Sequence, residues 1–388
     1  MALRFGAKSA GLRIEVARDL DALARVRNDW RALLPAAGAY SVAGTPAYAE
    51  AAWMVTPKDA DCHLAVISAR RGDRCVGLWP LHVRRQHGST VAAHVGAGDN
   101  AEYAGPLIAA DDDPAAVGAA LFAEGLQLAD VLAIYALRAD SPFADIVRAS
   151  EKAKYSIDLP SPVVTLESFA DFEAWLATKS GSFRQELRAG RRKLMAQGRF
   201  EFVRMSGPVN GPALVDWLFD MKRVWAANRR IVGSNILKEP AERLFEALLS
   251  REPTTDPAEG DVRGYALRLD DRIVAGCINF HSPGRLEFVM TVFDPAWRKF
   301  APGHLMVEEC VRLATQEGRV FDFRLTQDTY KLRWANRFDL YQTHILACTP
   351  RGVPAVLRFE LNRAVRRART WAGAQRRRLR ARISGAKG

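Results

Sequence analysis

The chain has 388 residues, of which 48% are hydrophobic and 26% are charged. These values are typical of a soluble globular protein, and the length suits two domains that each bury a core. No secretory signal and no apolar run of roughly 20 residues is visible, which argues against a membrane-spanning protein. The five cysteines are scattered and have no C-x-x-C pairing. We therefore expect reduced thiols and a cytoplasmic location.

The net charge of +12 is concentrated at one end of the chain. Residues 351–388 contain eleven arginines, one lysine and a single acid, Glu360, so this segment alone carries +11. The preceding 350 residues are nearly neutral. The basic character therefore belongs to a tail and indicates nothing about the main body of the protein.

The first half of the sequence predicts a mixed α/β domain at residues 1–160. Hydrophobic periodicity and capping residues give the following elements in chain order: a strand at 14–16, a helix capped by Asp19, a short helix after Pro46, strands at 63–69, 76–83 and 91–95, a loop at 96–106, a helix at 114–129 and a strand at 131–137. Pro160 and Pro162 are interpreted as bracketing a domain boundary.

The second half, residues 161–350, repeats this order of elements. The predicted strands are 163–166, 200–203, 264–269, 273–280, 286–293, 320–323 and 341–347, and the predicted helices are 169–177, 182–197, 212–228, 240–249, 303–316 and 329–335. The expected fold class is therefore α/β (α+β), with two tandem domains that each contain a mixed twisted sheet flanked by helices.

The segment from Leu286 to Gly318 carries the clearest chemical pattern. A strand, LEFVMTVF, feeds a loop, DPAWRKFAPGHLM, in which Pro302 and Gly303 directly precede a helix. A helix N-terminus presents unpaired N–H groups and a partial positive charge, and glycine lets an anion approach the backbone. Arg298 adds a charge near the same point. The pattern favours a phosphate-binding loop.

This segment resembles motif A of the GNAT acyltransferase superfamily, in which V-x-D-P is followed by R/Q-x-x-G-x-G/A and a helix. Val292, Asp294 and Pro295 fit the approach, and Arg298 and Gly303 fit the ends of the loop. Ala301 stands where the first glycine usually lies, and this departure is expected to reshape the pyrophosphate cradle.

Four further segments resemble the GNAT subfamily of cellulose-biosynthesis-type acetyltransferases, which is related to tandem-GNAT FemAB aminoacyl transferases. They are S-F-R at 182–184 running to R-R-K-L at 191–194, G-L-W-P-L at 77–81, Y-A-G-P-L at 103–107, and F-D-F at 321–323 with T-Q-D-T-Y-K at 326–331. Thr326 and Asp328 replace the usual Gly and Glu. The resemblance implies a GNAT-like second half with the acyl-CoA site, and a first half without one.

The resemblance also implies where the co-substrate, acetyl-CoA or another acyl-CoA, is bound. Pantetheine inserts between strands 290–293 and 320–323, which makes Val292 and Phe293 contact residues. Arg298, Ala301, Gly303 and His304 hold the phosphates.

Three residues are candidates for catalysis, because the acceptor must lose a proton and the departing thiolate gains one. Glu287, on the motif A strand, is the candidate base, with an exposed salt-bridged carboxylate as the alternative. Tyr330 is the candidate acid, with a core tyrosine as the alternative. Asp322 lies between two phenylalanines, where a carboxylate is costly unless it is used or paired with Lys331 or Arg333.

Tyr103, Lys331 and Trp334 are the candidate substrate-binding residues. Tyr103 reaches the acceptor cleft from the first half, unless it packs on the neighbouring proline. The seven histidines have no metal-ligand spacing, so no metal is expected.

The predicted function is transfer of an acetyl or longer acyl group from CoA to an amine or hydroxyl of a small-molecule or saccharide acceptor. The subfamily points to envelope or exopolysaccharide metabolism. Two alternatives remain open: a FemAB-like aminoacyl transferase, and a non-catalytic scaffold or binding protein of a polysaccharide synthase system.

The tail at 351–388 is predicted to form a basic amphipathic helix. Its apolar residues fall roughly on one helical face: Leu357, Leu361, Val365, Ala368, Ala372, Leu379 and Ile383. Such a helix suits the anionic inner face of a membrane, which would make the protein peripheral there. Nucleic acid is not expected as a partner, since Trp371 is the one aromatic residue available for base stacking after Phe359. The alternative is an ordinary helix that packs through Leu357 and Leu361.

Overall fold

The structure is a computed structural model of the chain. It describes residues 11–56, 62–96, 103, 105–229, 239–252, 261–325 and 328–365.

The first half of the chain alternates short helices with long strands. Its elements are β1 (Leu12–Ala17), α1 (Leu20–Ala36), α2 (Pro46–Val55), β2 (His63–Arg71), β3 (Arg74–Gln86), β4 (Ser89–His94), β5 (Leu107–Ile108), α3 (Pro114–Gly125), β6 (Val131–Arg138), α4 (Pro142–Ala149) and β7 (Lys154–Val164). Thr45, Asp113 and Ser141 cap α2, α3 and α4 with their side-chain oxygens, and a proline follows each cap.

The second half repeats the order of three antiparallel strands, a helix and a parallel strand. Its elements are α5 (Phe172–Ala177), α6 (Gly181–Met195), β8 (Phe200–Arg204), α7 (Asn210–Arg229), α8 (Glu239–Leu249), β9 (Asp261–Leu269), β10 (Arg272–Ser282), β11 (Arg285–Phe293), α9 (Pro302–Gln316), β12 (Val320–Asp322), α10 (Thr329–Trp334) and β13 (Arg337–Ala347). A final helix, α11, covers 353–365.

The described strands form one mixed sheet that runs through both halves. Its order is β1-β2-β3-β4-β6-β13-β7-β12-β11-β10-β9-β8, with β5 paired to β3. The neighbours β4 and β6 are parallel, as are β11 and β12. The last strand of the first half, β7, pairs with β12 of the second half. The last strand of the second half, β13, pairs with β6 of the first half. Each half therefore contributes its last strand to the sheet of the other half. The predicted mixed α/β sheet flanked by helices is confirmed.

This exchange of strands corrects the interpretation of the two prolines. Pro160 and Pro162 lie within β7 and pair with Leu340 and Phe338 of β13. The strand β12 pairs only with residues 163 and 164 of β7, so both prolines lie where β13 is the one paired strand. Proline is tolerated at such an edge because its missing N–H is not needed there. A division of the chain at residue 160 passes through this strand.

The tail begins as a helix packed on the sheet, but not through the residues that the alternative prediction named. Leu357 and Leu361 are 62% and 65% exposed. Val356 is buried instead, and the ring of Phe359 lies 5.9 Å from that of Tyr155 on β7. The apolar positions at 368, 372, 379 and 383 lie outside the described residues.

Candidate active site

The strands β11 and β12 separate after a short pairing. They pair in parallel only between residues 285–287 and 320–322. Just beyond, Phe288 pairs with Asn279 and Met290 pairs with Ile278, so Val289 is an extra residue in β11. A bulge of this kind bends its strand. The pairing of β11 with β12 thus ends directly before the bulge, at the point where the resemblance implies a splay.

The helix α9 begins at the far end of β11. No side chain caps its N-terminus, Pro302 occupies the first turn, and Arg298 and Lys299 are exposed beside it. The first N–H groups of such a helix lack intrahelical acceptors. The helix entrance is therefore suited to an anion.

Close packing fixes the loop before α9. A Cβ added at Gly190 of α6 would lie 2.9 Å from the carbonyl oxygen of Phe300, and one added at Gly303 would lie 3.2 Å from the ring of Phe293. The residue Ala301 has φ 54 and ψ 45, the left-handed conformation that favours glycine. The departure at Ala301 thus leaves the loop in a glycine-type conformation, held by α6.

We expect Ala301→Gly to raise the free energy of unfolding by roughly 0.5–1 kcal/mol. The left-handed conformation costs a non-glycine residue about 1–2 kcal/mol, and part of the gain is lost to the greater unfolded-state entropy of glycine. Denaturant unfolding measures the difference. Ala196→Gly is the matched control because Ala196 is exposed and right-handed, with φ −73, so glycine should destabilise there. If both variants lose the same free energy of unfolding, the left-handed conformation of Ala301 does not cost the native protein stability.

Glu287 lies where β11 and β12 begin to separate. It is 1% exposed, its Oε1 accepts a 2.7 Å hydrogen bond from Ser282 Oγ, and its Oε2 lies 3.9 Å from Arg324 Nε. Burial raises the pKa of this carboxyl, and the charge of Arg324 opposes the rise. The alternative of an exposed salt-bridged carboxylate is therefore wrong. A buried carboxyl with a raised pKa is suited to proton transfer.

Asp322, opposite Glu287 in the parallel pair, is enclosed by hydrogen bonds. Its Oδ1 accepts from Ser161 Oγ at 2.6 Å, from Tyr103 OH at 3.1 Å and from Arg324 N at 2.7 Å, and its Oδ2 accepts from Arg285 at 2.5 Å. The ion-pair partner is thus Arg285, not Lys331 or Arg333 as predicted. Arg333 pairs with Glu186, and Lys331 donates to the carbonyl oxygen of Phe323.

Tyr103 connects the first half of the chain to this network. Its ring stacks on that of Tyr341 with a centroid separation of 4.0 Å, and its hydroxyl reaches Ser161 and Asp322. Burial and the nearby charge of Asp322 raise the pKa of its phenol well above the ordinary value. Tyr103 therefore reaches across to the second half rather than packing on the adjacent proline.

A cavity of about 600 Å³ opens at the N-terminal end of β11, between the two halves. Its walls come from distant parts of the chain and include Ser41, Tyr103, Arg138, Arg285, Glu287 and Tyr341. The entrance of α9 lies at the other end of the same strand.

Tyr330 belongs to a second group of side chains, at the entrance of α9. Its ring lies 6.0 Å from that of His304, and His304 Nδ1 lies 3.4 Å from the indole nitrogen of Trp334. Burial raises the pKa of the Tyr330 phenol and lowers that of His304. Trp334 is fully buried and stacks on Trp175, so its position is that of a core residue rather than a substrate contact.

The predicted catalytic residues are thus divided between two places. Glu287 and Asp322 are adjacent, whereas Tyr330 makes its described contacts at the entrance of α9. Sequence reasoning missed Arg285, Arg324, Ser161 and Tyr341, since none of them belongs to a local pattern. The departure at Thr326 lies outside the described residues.

No group of three or more His, Cys, Asp or Glu side chains within the described residues is arranged to hold a metal ion. No helix of the described part of the chain is long and apolar enough to cross a membrane.

One family model matches the chain. Residues 181–332, less than half of the sequence, match a family described as the acetyltransferase (GNAT) domain. This range contains Glu287, Asp322 and the entrance of α9. A search of curated proteins finds no match.

Solved structures resemble the whole fold at low sequence identity. FemX is 10% identical with a TM-score of 0.55, over 82% of this chain and 95% of that one. A conserved protein of unknown function from Bacteroides thetaiotaomicron is 11% identical with a TM-score of 0.52, over 86% and 100%. The C-terminal domain of a putative lysylphosphatidylglycerol synthetase from Agrobacterium fabrum is 14% identical with a TM-score of 0.51, over 87% and 95%.

At these identities the likeness concerns the fold alone. The family match in the second half supports an acyltransferase as the class of enzyme. The match does not extend to a particular subfamily, acyl group or acceptor.

Proposed function

We propose that the protein transfers an acyl group from acyl-CoA to an amine or hydroxyl of an acceptor bound in the cavity between the two halves. The observation that carries the proposal is the position of Glu287. This buried carboxyl lies at the divergence of β11 and β12 and lines the cavity.

Glu287 is proposed as the base that removes the proton of the acceptor. Its raised pKa makes it a stronger base than an ordinary carboxylate, and the nearby charge of Arg324 opposes part of the rise. Tyr103 and Asp322 are proposed to shape and brace the wall of the cavity rather than to exchange protons, because their polar atoms bond one another.

The residues at the entrance of α9 fit the phosphates and pantetheine of CoA. Arg298, Ala301, Gly303 and His304 are proposed to hold the phosphate end, and the backbone of Val292 and Phe293 is proposed to contact pantetheine. The bound co-substrate supplies an acyl group activated as a thioester. The phenol of Tyr330, which carries its proton at neutral pH at any ordinary tyrosine pKa, is proposed to donate the proton that the departing thiolate needs.

Acetyl-CoA is the proposed donor, and a saccharide or other small molecule of envelope or exopolysaccharide metabolism is the proposed acceptor. A scaffold without catalysis does not explain a carboxyl buried at the wall of a cavity, since such a group destabilises the fold unless it is used. An aminoacyl transferase is an outcome of the test below.

The test is a thermal shift with acetyl-CoA. At a 100-fold excess over its dissociation constant, acetyl-CoA should stabilise the native protein by about 2.7 kcal/mol, which raises the melting temperature by a few degrees. Gly303→Asp should abolish the shift, because a carboxylate then occupies the anion site. Arg298→Glu should reduce it without any change in packing, since Arg298 is exposed.

Gly181→Asp is the matched control. It places the same side chain at the start of α6, where an added Cβ meets nothing within 4 Å. Its shift should equal that of the native protein. No shift with acetyl-CoA, combined with a shift by aminoacyl-tRNA, would replace the proposal by the FemAB-like alternative.

The tail is proposed to bind the anionic inner face of a membrane. Leu357, Leu361 and Val365 are exposed at spacings of four residues along α11, so they form one apolar stripe on the side away from the sheet. A stripe of this kind beside many arginines is typical of helices that lie in a membrane interface. The remaining arginines of 351–388 add attraction to anionic lipids.

A further inference from the structure

A second cavity, of about 420 Å³, lies between α11 and the sheet, away from the candidate active site. The cavity is bordered mostly by apolar side chains, among them Val91, Val131, Ala133, Tyr135, Ile345 and Phe359. They come from β4, β6 and β13 below and from α11 above. We call this cavity the α11 slot.

The helix that covers the slot is firmly attached at its start. Thr349 Oγ1 donates to Asp130 Oδ1 at 2.6 Å, Ser89 Oγ donates to the carbonyl oxygen of Arg351 at 3.0 Å, and a Cβ added at Gly352 would meet the carbonyl oxygen of Asp130 at 2.1 Å. Further along, Arg363 donates to the carbonyl oxygen of Ser156 at 3.1 Å. The slot is thus a gap under a helix that contacts the sheet on both sides of it, near residues 349–352 and at Arg363.

Polar groups border the slot on one side. Arg358 and Asn362 of α11 line it together with Gln86, His87 and Ser89 of the β3–β4 hairpin. Arg358 is exposed and forms no ion pair within the described residues. The slot therefore combines an apolar interior with a positive charge at its edge, the arrangement expected for an acyl chain with an anionic head group.

We propose that the α11 slot binds one acyl chain of an anionic membrane lipid. Three features favour this occupant: the apolar interior, the charge of Arg358, and the exposed stripe of Leu357, Leu361 and Val365 on the same helix. A methylene group occupies about the volume of a water molecule, roughly 30 Å³, so the slot has room for about a dozen methylenes. The proposal rests on the membrane partner proposed above and is independent of acyl transfer.

Calorimetry with free fatty acids of eight to fourteen carbons, each below its micelle-forming concentration, tests the slot itself. Burial of one methylene raises the affinity by about fourfold. The affinity of the full-length protein should therefore increase steeply with chain length and level off near twelve carbons. Ala355→Leu, which fills the slot from α11, should weaken the binding of the twelve-carbon acid at least tenfold.

Ala364→Leu is the matched control, because Ala364 is exposed on the same helix. It should leave the chain-length dependence unchanged. The double variant Leu357→Gln/Leu361→Gln should retain fatty-acid binding. In sedimentation with vesicles of phosphatidylglycerol at low salt, that double variant and Ala355→Leu should both bind less than the native protein, and vesicles of phosphatidylcholine should bind none of them.

Two results of the fatty-acid measurement would overturn the proposal. One is an affinity that does not depend on chain length in the native protein. The other is equal fatty-acid binding by Ala355→Leu and Ala364→Leu. If only the double variant loses vesicle binding and Ala355→Leu binds vesicles as the native protein does, the membrane surface stays a partner. The slot then does not bind an acyl chain.

Discussion

Glu287→Gln is expected to slow acyl transfer by roughly 10²–10⁴-fold, the range that general-base catalysis contributes. The amide has nearly the same shape as the carboxyl and can still accept the hydrogen bond from Ser282. It cannot take a proton from the acceptor. The measurement is the rate at which the CoA thiol is released from acetyl-CoA. The acceptor is an amine or, where no amine reacts, water.

The pH dependence follows from the same group. Burial raises the pKa of Glu287, so kcat/KM of the native enzyme should fall as the pH drops through that raised value. The folded state also holds this proton more tightly than the unfolded state, so ionisation of Glu287 lowers stability as the pH rises above the ordinary carboxyl range. At neutral pH the variant should therefore be at least as stable as the native protein.

Glu173→Gln is the control for an ordinary glutamate, since Glu173 is exposed, pairs with Arg312 and does not line the cavity. Its turnover should match that of the native enzyme. If Glu287→Gln turns over at the native rate with an unchanged pH profile, Glu287 is not the base.

Asp322→Asn is expected to lower the free energy of unfolding by about 3–5 kcal/mol. The carboxylate accepts four hydrogen bonds, and its loss leaves Arg285 paired with Asp339 alone in a nearly buried position. Because Tyr103 and Ser161 bond the same oxygen, the change also loosens the junction between the two halves. Denaturant unfolding measures the loss.

Asp339→Asn is the matched control, because it removes the other carboxylate that pairs with Arg285. Asp339 also pairs with Arg285, but it is more exposed and has a further partner in Arg337. Its loss should therefore cost less than that of Asp322. A variant Asp322→Asn of native stability that no longer turns over would show that Asp322 takes part in the chemistry rather than bracing the site.

The strand, loop and helix of the phosphate-binding segment could be predicted because their causes are local. Hydrophobic alternation predicts β11, and Pro302 with Gly303 marks the start of α9. The left-handed conformation of Ala301 could not be predicted in this way, because the loop packs against Gly190 of α6, which is distant in sequence.

The exchange of β7 and β13 could not be predicted in the same way. Periodicity identifies a strand but not its neighbour, and the two strands pair across nearly 200 residues of sequence. The prolines of β7 are turn residues by local rules, and they are tolerated because β12 pairs with β7 only at residues 163 and 164.

The acceptor cavity and the partner of Asp322 escaped prediction for a related reason. Arg285 opens the motif A strand, where it has no motif role, and it meets Asp322 because β11 and β12 run parallel for three residues. Lys331 and Arg333 are nearer in sequence, but α10 directs them to Phe323 and Glu186. Local motifs therefore point to Asp322 as a candidate site residue but not to Arg285 as its partner.

Hydrogen–deuterium exchange with and without acetyl-CoA tests the central claim most directly, because it reports where the co-substrate binds. The account predicts slower exchange at 290–306, which includes the end of β11 and the entrance of α9, and at 322–334. It predicts no change over β1 and β2 of the first half. Protection confined to the first half, or no protection at millimolar acetyl-CoA, would contradict an acyl-CoA site at the divergence of β11 and β12.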